Sequence, residues 1–158
     1  MNSILRSSSI LLITALFATA PASIAAEKFF TPPDILFVLS PEEQINRVAL
    51  VAGSADEAQK VIDAARASTP GAFLIIDLNG TLEVKANPLR LGSRMCLRLS
   101  PTSVIQADKD ATASSLISIV DAELVSVISA GPGLALIDGG KKQLIGISVT
   151  GGSRINFD

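Results

Sequence analysis

The chain has 158 residues, 48% of them hydrophobic, with 13 Lys and Arg against 15 Asp and Glu. That is length for one domain and composition for a packed core, and a net charge of −2 leaves no footprint for nucleic acid. There is no His, Trp or Tyr and a single Cys, which excludes Ser-His-Asp and Cys-His catalysis, His-liganded or Cys-rich metal centres, an intrachain disulfide and the usual stacking platforms for sugars and bases.

Residues 1–26 read as a secretory signal peptide. Arg6 is the charge of the n-region, Ile10 to Ala18 form the apolar h-region, Pro21 breaks it, and small residues up to Ala25 and Ala26 offer the cleavage site. The run is shorter than the ~20 residues a bilayer span requires, so no membrane association is expected after removal. The expected location is secreted or periplasmic. In that oxidising setting the chain offers Cys96 no second cysteine for a disulfide, and Cys96 reads as either a small core hydrophobe or a thiol left reduced. Residues 27–53 form a lead segment with Phe29-Phe30, Pro32-Pro33, an apolar run Ile35 to Leu39, Pro41, and a second run Ile45 to Val51. Either run can be a strand, with a packing or capping role.

Ser54 followed by Glu57 makes a capping box, and Ala58, Val61, Ile62 and Ala65 repeat at the spacing of one buried helical face. The spacing predicts a helix from Ser54 to Ala67, stopped by Ser68-Thr69-Pro70-Gly71.

From Phe73 onward short apolar runs alternate with Gly, Asn, Ser, Pro and Asp, the pattern of strands without intervening helices. Ile76, Leu97 and Ile119 are spaced by 21 and 22, as are Val84, Ile105 and Val127, while Leu91, Ala113 and Leu136 follow at 22 and 23. Three short strands per period of about 22 describe a stacked solenoid whose passes bury one another. The step from Ile119 to Ile147 is longer, which predicts a protruding loop over Ser129 to Gln143. The expected fold is therefore all-β: a right-handed parallel β-helix of about four turns over residues 54–158, capped at its N-terminal end by the helix. A leucine-rich repeat has a similar period, but its Leu/Asn pattern does not recur here.

The stretch Pro88 to Pro101, the stretch Ala122 to Ile128, and Gly131-Pro132-Gly133 with Ile137-Asp138-Gly139 resemble coils of the pectin lyase-like superfamily, which includes pectate-lyase-like and polygalacturonase-like β-helices. The resemblance implies the helix-then-coil order, a polysaccharide partner, acidic in the case of a lyase, and a polysaccharide lyase or glycoside hydrolase as parent activity. It carries over no catalytic residue: the Asn-Thr-Asp, Asp-Asp and Gly-His-Gly elements of polygalacturonase-like enzymes are not found, and the last needs a His.

No residue is assigned a catalytic, cofactor-binding or metal-binding role. Asp108 and Asp110 flank Lys109 and suggest Ca²⁺, which a lyase-like parent can use, but two carboxylates fall short of the six to eight oxygens it takes, so a solvated turn is the plainer reading. Arg90, Arg94 and Arg98 suggest an outward patch for a polyuronate; an outer face kept soluble by charge is again plainer. Val149-Thr150-Gly151-Gly152-Ser153-Arg154 lacks the helix that a dinucleotide loop needs and reads as a turn. The chain stops just after an apolar strand, without the polar cap of a finished stack, so the catalytic turns are expected to be missing. The expected function is the N-terminal scaffold portion of an exported polysaccharide-directed β-helix protein. The alternative is a non-catalytic carbohydrate-binding or adhesin-type module.

Overall fold

The computed structural model describes residues 43–133, 135–142 and 144–158. Residues 1–26, where a signal peptide is expected, residues 27–42 of the lead segment, Leu134 and Gln143 lie outside the described residues. What is described is mostly β, with parallel sheets and one helix.

The lead segment ends in strand β1 (Ile45–Ser54), and Ser54 turns it directly into helix α1 (Ala55–Ser68). Both halves of the capping box are made: Glu57 donates its N–H to Ser54 Oγ, and the Glu57 carboxylate accepts from the Ser54 N–H. This satisfies two donors that a helix start would otherwise leave unpaired. Ala58 and Ile62 are buried and Ala65 packs on the core, but Val61 turns out to solvent.

Strand β2 (Phe73–Val84) follows, then β3 (Leu89–Leu91), β4 (Met95–Leu99), β5 (Val104–Ala107), β6 (Ser115–Val120), β7 (Glu123–Ser129), β8 (Leu136–Asp138), β9 (Ile145–Thr150) and β10 (Ser153–Phe157). Every pairing among them is parallel. The strands fall into three rows. The first runs β1, β2, β4, β7, β10; the second joins the C-terminal part of β2 to β5 and β8; the third is β3, β6, β9. Strand β2 serves two rows, pairing β4 up to Leu78 and β5 from Thr81. Between them Gly80 has φ of 116°, which L side chains rarely adopt, and a Cβ there would crowd Ala52 at 3.2 Å. Inward side chains of all three rows, among them Leu74, Ile76 and Leu78 on β2, Ile105 on β5 and Ile119 on β6, belong to one core.

The register corrects the 22-residue period. Ile76 does stand opposite Leu97, but Leu97 next meets Val127, 30 residues on. Ile119 stands opposite Leu91 and Val149, and Ile105 opposite Leu82 and Ile137. The 22-residue series therefore crossed from one row to another. All three rows share the same inside-outside alternation, so apolar spacing alone cannot say which row a strand occupies. The two short steps, 21 from Ile76 to Leu97 and 23 from Leu82 to Ile105, both start on β2, and the later steps lengthen mainly at the corner between β5 and β6. In chain order the described strands visit the three rows three times, where about four turns are expected, with β1 before and β10 after. The loop expected over Ser129 to Gln143 contains strand β8, paired with β5.

The corners repeat as well. Arg94, Leu124 and Arg154, spaced by 30, all have positive φ, at 62°, 59° and 54°. Where the second row begins, the Ser103 hydroxyl donates to Leu78 O at 2.6 Å and pairs with Ser100 Oγ at 2.7 Å, so a buried serine holds the bend. Where the third row returns to the first, the Arg66 guanidinium donates to Ala72 O and Ser93 O at 2.7 Å each and to Arg94 O at 3.2 Å. Helix α1 also meets the free edge of β3, where Gln59 Oε1 accepts the Arg90 N–H at 2.8 Å. Capping an edge in this way removes a site of unwanted strand pairing.

Candidate functional site

Strand alternation puts three columns of side chains on the outer faces. On the second row the register stacks Glu83, Gln106 and Asp138, with Gln106 Nε2 donating to Glu83 Oε1 at 3.4 Å. On the third it stacks Arg90, Ser118 and Ser148. Beside Arg90 lies a groove of about 650 Å³ between α1 and the approach to β3, lined also by Asp56, Lys60, Asp63 and Asn87. Its floor is set by the bond from Asn87 Nδ2 to Asp56 Oδ1 at 2.9 Å and by the Gln59 contact to β3. The lining carries donors, acceptors and both charge signs.

The first row carries a cluster that spacing did not single out. Asp77 stands between two guanidiniums, 3.2 Å from Arg98 Nη1 and 3.6 Å from Arg47 Nη1. Its only sequence signal is a carboxylate set inside the apolar run Phe73 to Leu78. Cys96 lies next to it, opposite Ser126, and is fully buried. Burial pushes the Cys96 thiol up from its ordinary value; the Ser126 hydroxyl and Arg98 pull the other way. A protonated, buried thiol is a poor nucleophile, so this cysteine behaves as a core hydrophobe.

The arginines are not one patch. Arg90 faces solvent on the third row, Arg98 pairs with Asp77 on the first with its side chain 15% exposed, and Arg94 sits at a corner. There it forms an ion pair with Glu43, and its Nε donates to Gly71 O at 2.9 Å. Alternation was expected to turn Arg90 and Arg98 outward together, but β3 and β4 belong to different rows, so the two do not share a face. Asp108 and Asp110 form a local turn, with the Asp110 N–H donating to Asp108 Oδ1 at 2.7 Å. Among the described residues no three Asp, Glu, Cys or His side chains gather as a metal group would require. Gly151 and Gly152 make the turn between β9 and β10, with φ of 70° and 88°. Ile137-Asp138 falls in β8 and Gly139 follows it, while Gly133 packs on Pro101.

No helix among the described residues is long and apolar enough to cross a membrane. Comparison of the chain with protein-family models, with curated proteins and with solved structures returns no match.

Proposed function

We propose that this chain is the scaffold of an exported parallel β-helix of the pectin lyase-like kind, directed at polysaccharide and non-catalytic in itself. The observation that carries the reading is the recurrence of three strand rows in one order, with parallel register and a shared core. A coil built this way presents long, flat outer rows on which a polymer can lie. The groove beside Arg90 is a polar recess on such a row, and its mixed donors and acceptors suit hydroxyl and carboxylate groups of an acidic sugar. Calcium, which a lyase-like parent can use, would have to be held by carboxylates other than the Asp108–Asp110 turn.

The test is affinity gel electrophoresis in polygalacturonate and in a neutral β-glucan, paired with a product assay on pectate with and without calcium. Retardation by polygalacturonate alone is expected, with no unsaturated products and no new reducing ends. Arg90→Ala is expected to weaken retardation by several fold. Mobility unchanged in both polymers overturns the polysaccharide assignment, and turnover overturns the non-catalytic one.

A further inference from the structure

Inward side chains are buried along the stack and exposed on its last strands. Phe157 stands in register with Val127, Val149 with Ile119, and Ile145 with Ser115. Val127, Ile119 and Ser115 are 0–5% exposed, whereas Phe157, Val149 and Ile145 are 51%, 44% and 56% exposed. Residues in register share a face, so the difference comes from position in the stack. The free edge of β10 also has a definite pattern. The Asp158 N–H donates to Val127 O, and Asp158 O accepts from the Ser129 N–H, each at 3.1 Å. Strand alternation therefore gives the backbone groups of Asn156 and Asp158 to β7 and turns those of Ile155 and Phe157 to the open side.

We propose that a second copy of this chain seats on this end, with its β10 antiparallel to this one about a two-fold axis beside Asn156. Charge complementarity favours that register. It sets Ile155 against the partner's Phe157, joining the backbone groups that each copy leaves open. On the outer face it sets Arg154 opposite the partner's Asp158, and by symmetry Asp158 opposite the partner's Arg154. Opposite charges directly across an antiparallel pair stabilise it, and a patch that complements itself in this way is what a two-fold interface requires. Arg154 is accessible for the pairing, because its contact to Glu123 within the chain is 3.8 Å long and both side chains are more than half exposed. The two recesses, each lined by Ile137 and Phe157, then face one another. A head-to-tail stack is disfavoured, because α1 lies toward the other end with Asp56, Lys60 and Asp63 on its outer side and would set charges against apolar side chains.

Sedimentation velocity of the full chain across a concentration series is the test. A discrete dimer without larger species is expected. Arg154→Asp alone and Asp158→Arg alone each set like charges across the axis. Each is expected to weaken dimerisation at least tenfold, with far-UV circular dichroism unchanged. An equimolar mixture of the two variants restores opposite charges at both sites, so a heterodimer is expected to return. A monomer at every concentration, as when another part of the same chain covers this end, overturns the proposal. So does a mass that keeps growing with concentration, as in a head-to-tail stack. Single variants that dimerise like the parent, or a mixture that stays monomeric, overturn it as well.

Discussion

Burial pushes the Cys96 thiol up from its ordinary value, so the folded chain holds this proton more tightly than the unfolded one. The stability this contributes is whole below the unfolded thiol's pKa and is lost as pH climbs from about 8.5 toward the folded value. Urea unfolding of the parent chain is therefore expected to weaken across that alkaline range. Cys96→Ala is expected to be less stable at neutral pH but to show a flatter alkaline slope; an identical slope would remove the thiol from the account. At this scale the sequence was partly legible. Zero His and one Cys already excluded whole chemistries, and the capping box at Ser54 and Glu57 is made as the spacing predicts. The Asp77 cluster was not legible, because its partners Arg47 and Arg98 come from different strands and only register brings them to one carboxylate.

Individual strands were easy to see and their partners were not. Runs such as Leu89–Leu91 and Met95–Leu99 match the expected strands end for end. Which rows they join depends on corner lengths, and the corners are held by contacts that apolar periodicity does not encode. Arg66 is the clearest of these, bridging three carbonyls from the last turn of α1. Hydrogen bonds to a charged donor are worth about 1.5–3 kcal/mol, so Arg66→Ala is expected to lower stability by roughly that amount in urea. Arg66→Lys should recover little of it, because an ammonium lacks the fork that reaches Ala72 O and Ser93 O together. Full recovery by lysine would mean that charge, not geometry, holds the corner. The 30-residue step does leave one trace in the sequence: Ser93-Arg94 recurs as Ser153-Arg154 after two passes, at corners with positive φ.

Across the whole stack, its two ends differ. At the start, α1 covers β3 and Gln59 caps its edge. At the other end, β8, β9 and β10 have no further strand among the described residues; Leu136, Ile145, Val149 and Phe157 are exposed, and Phe157 lines a recess of about 530 Å³ with Leu99, Val127 and Ile137. Apolar edges of this kind pair with other chains. Ile145→Lys and Phe157→Lys are expected to lower concentration-dependent association, read by light scattering, by several fold. Scattering that is unchanged by both would show that this end is already satisfied.

The parallel register has a consequence for how such a chain could be delivered. Among the described residues no strand pairs with a residue more than 32 positions away, the separation of Ile105 and Ile137, and each pairing joins one pass to the next. A chain threaded from its N-terminus never has to wait for a distant partner. If the chain is exported as proposed, each pass finds a finished template already across the membrane, so assembly can keep pace with emergence, and the growing edge, not the completed body, is the vulnerable surface at every moment.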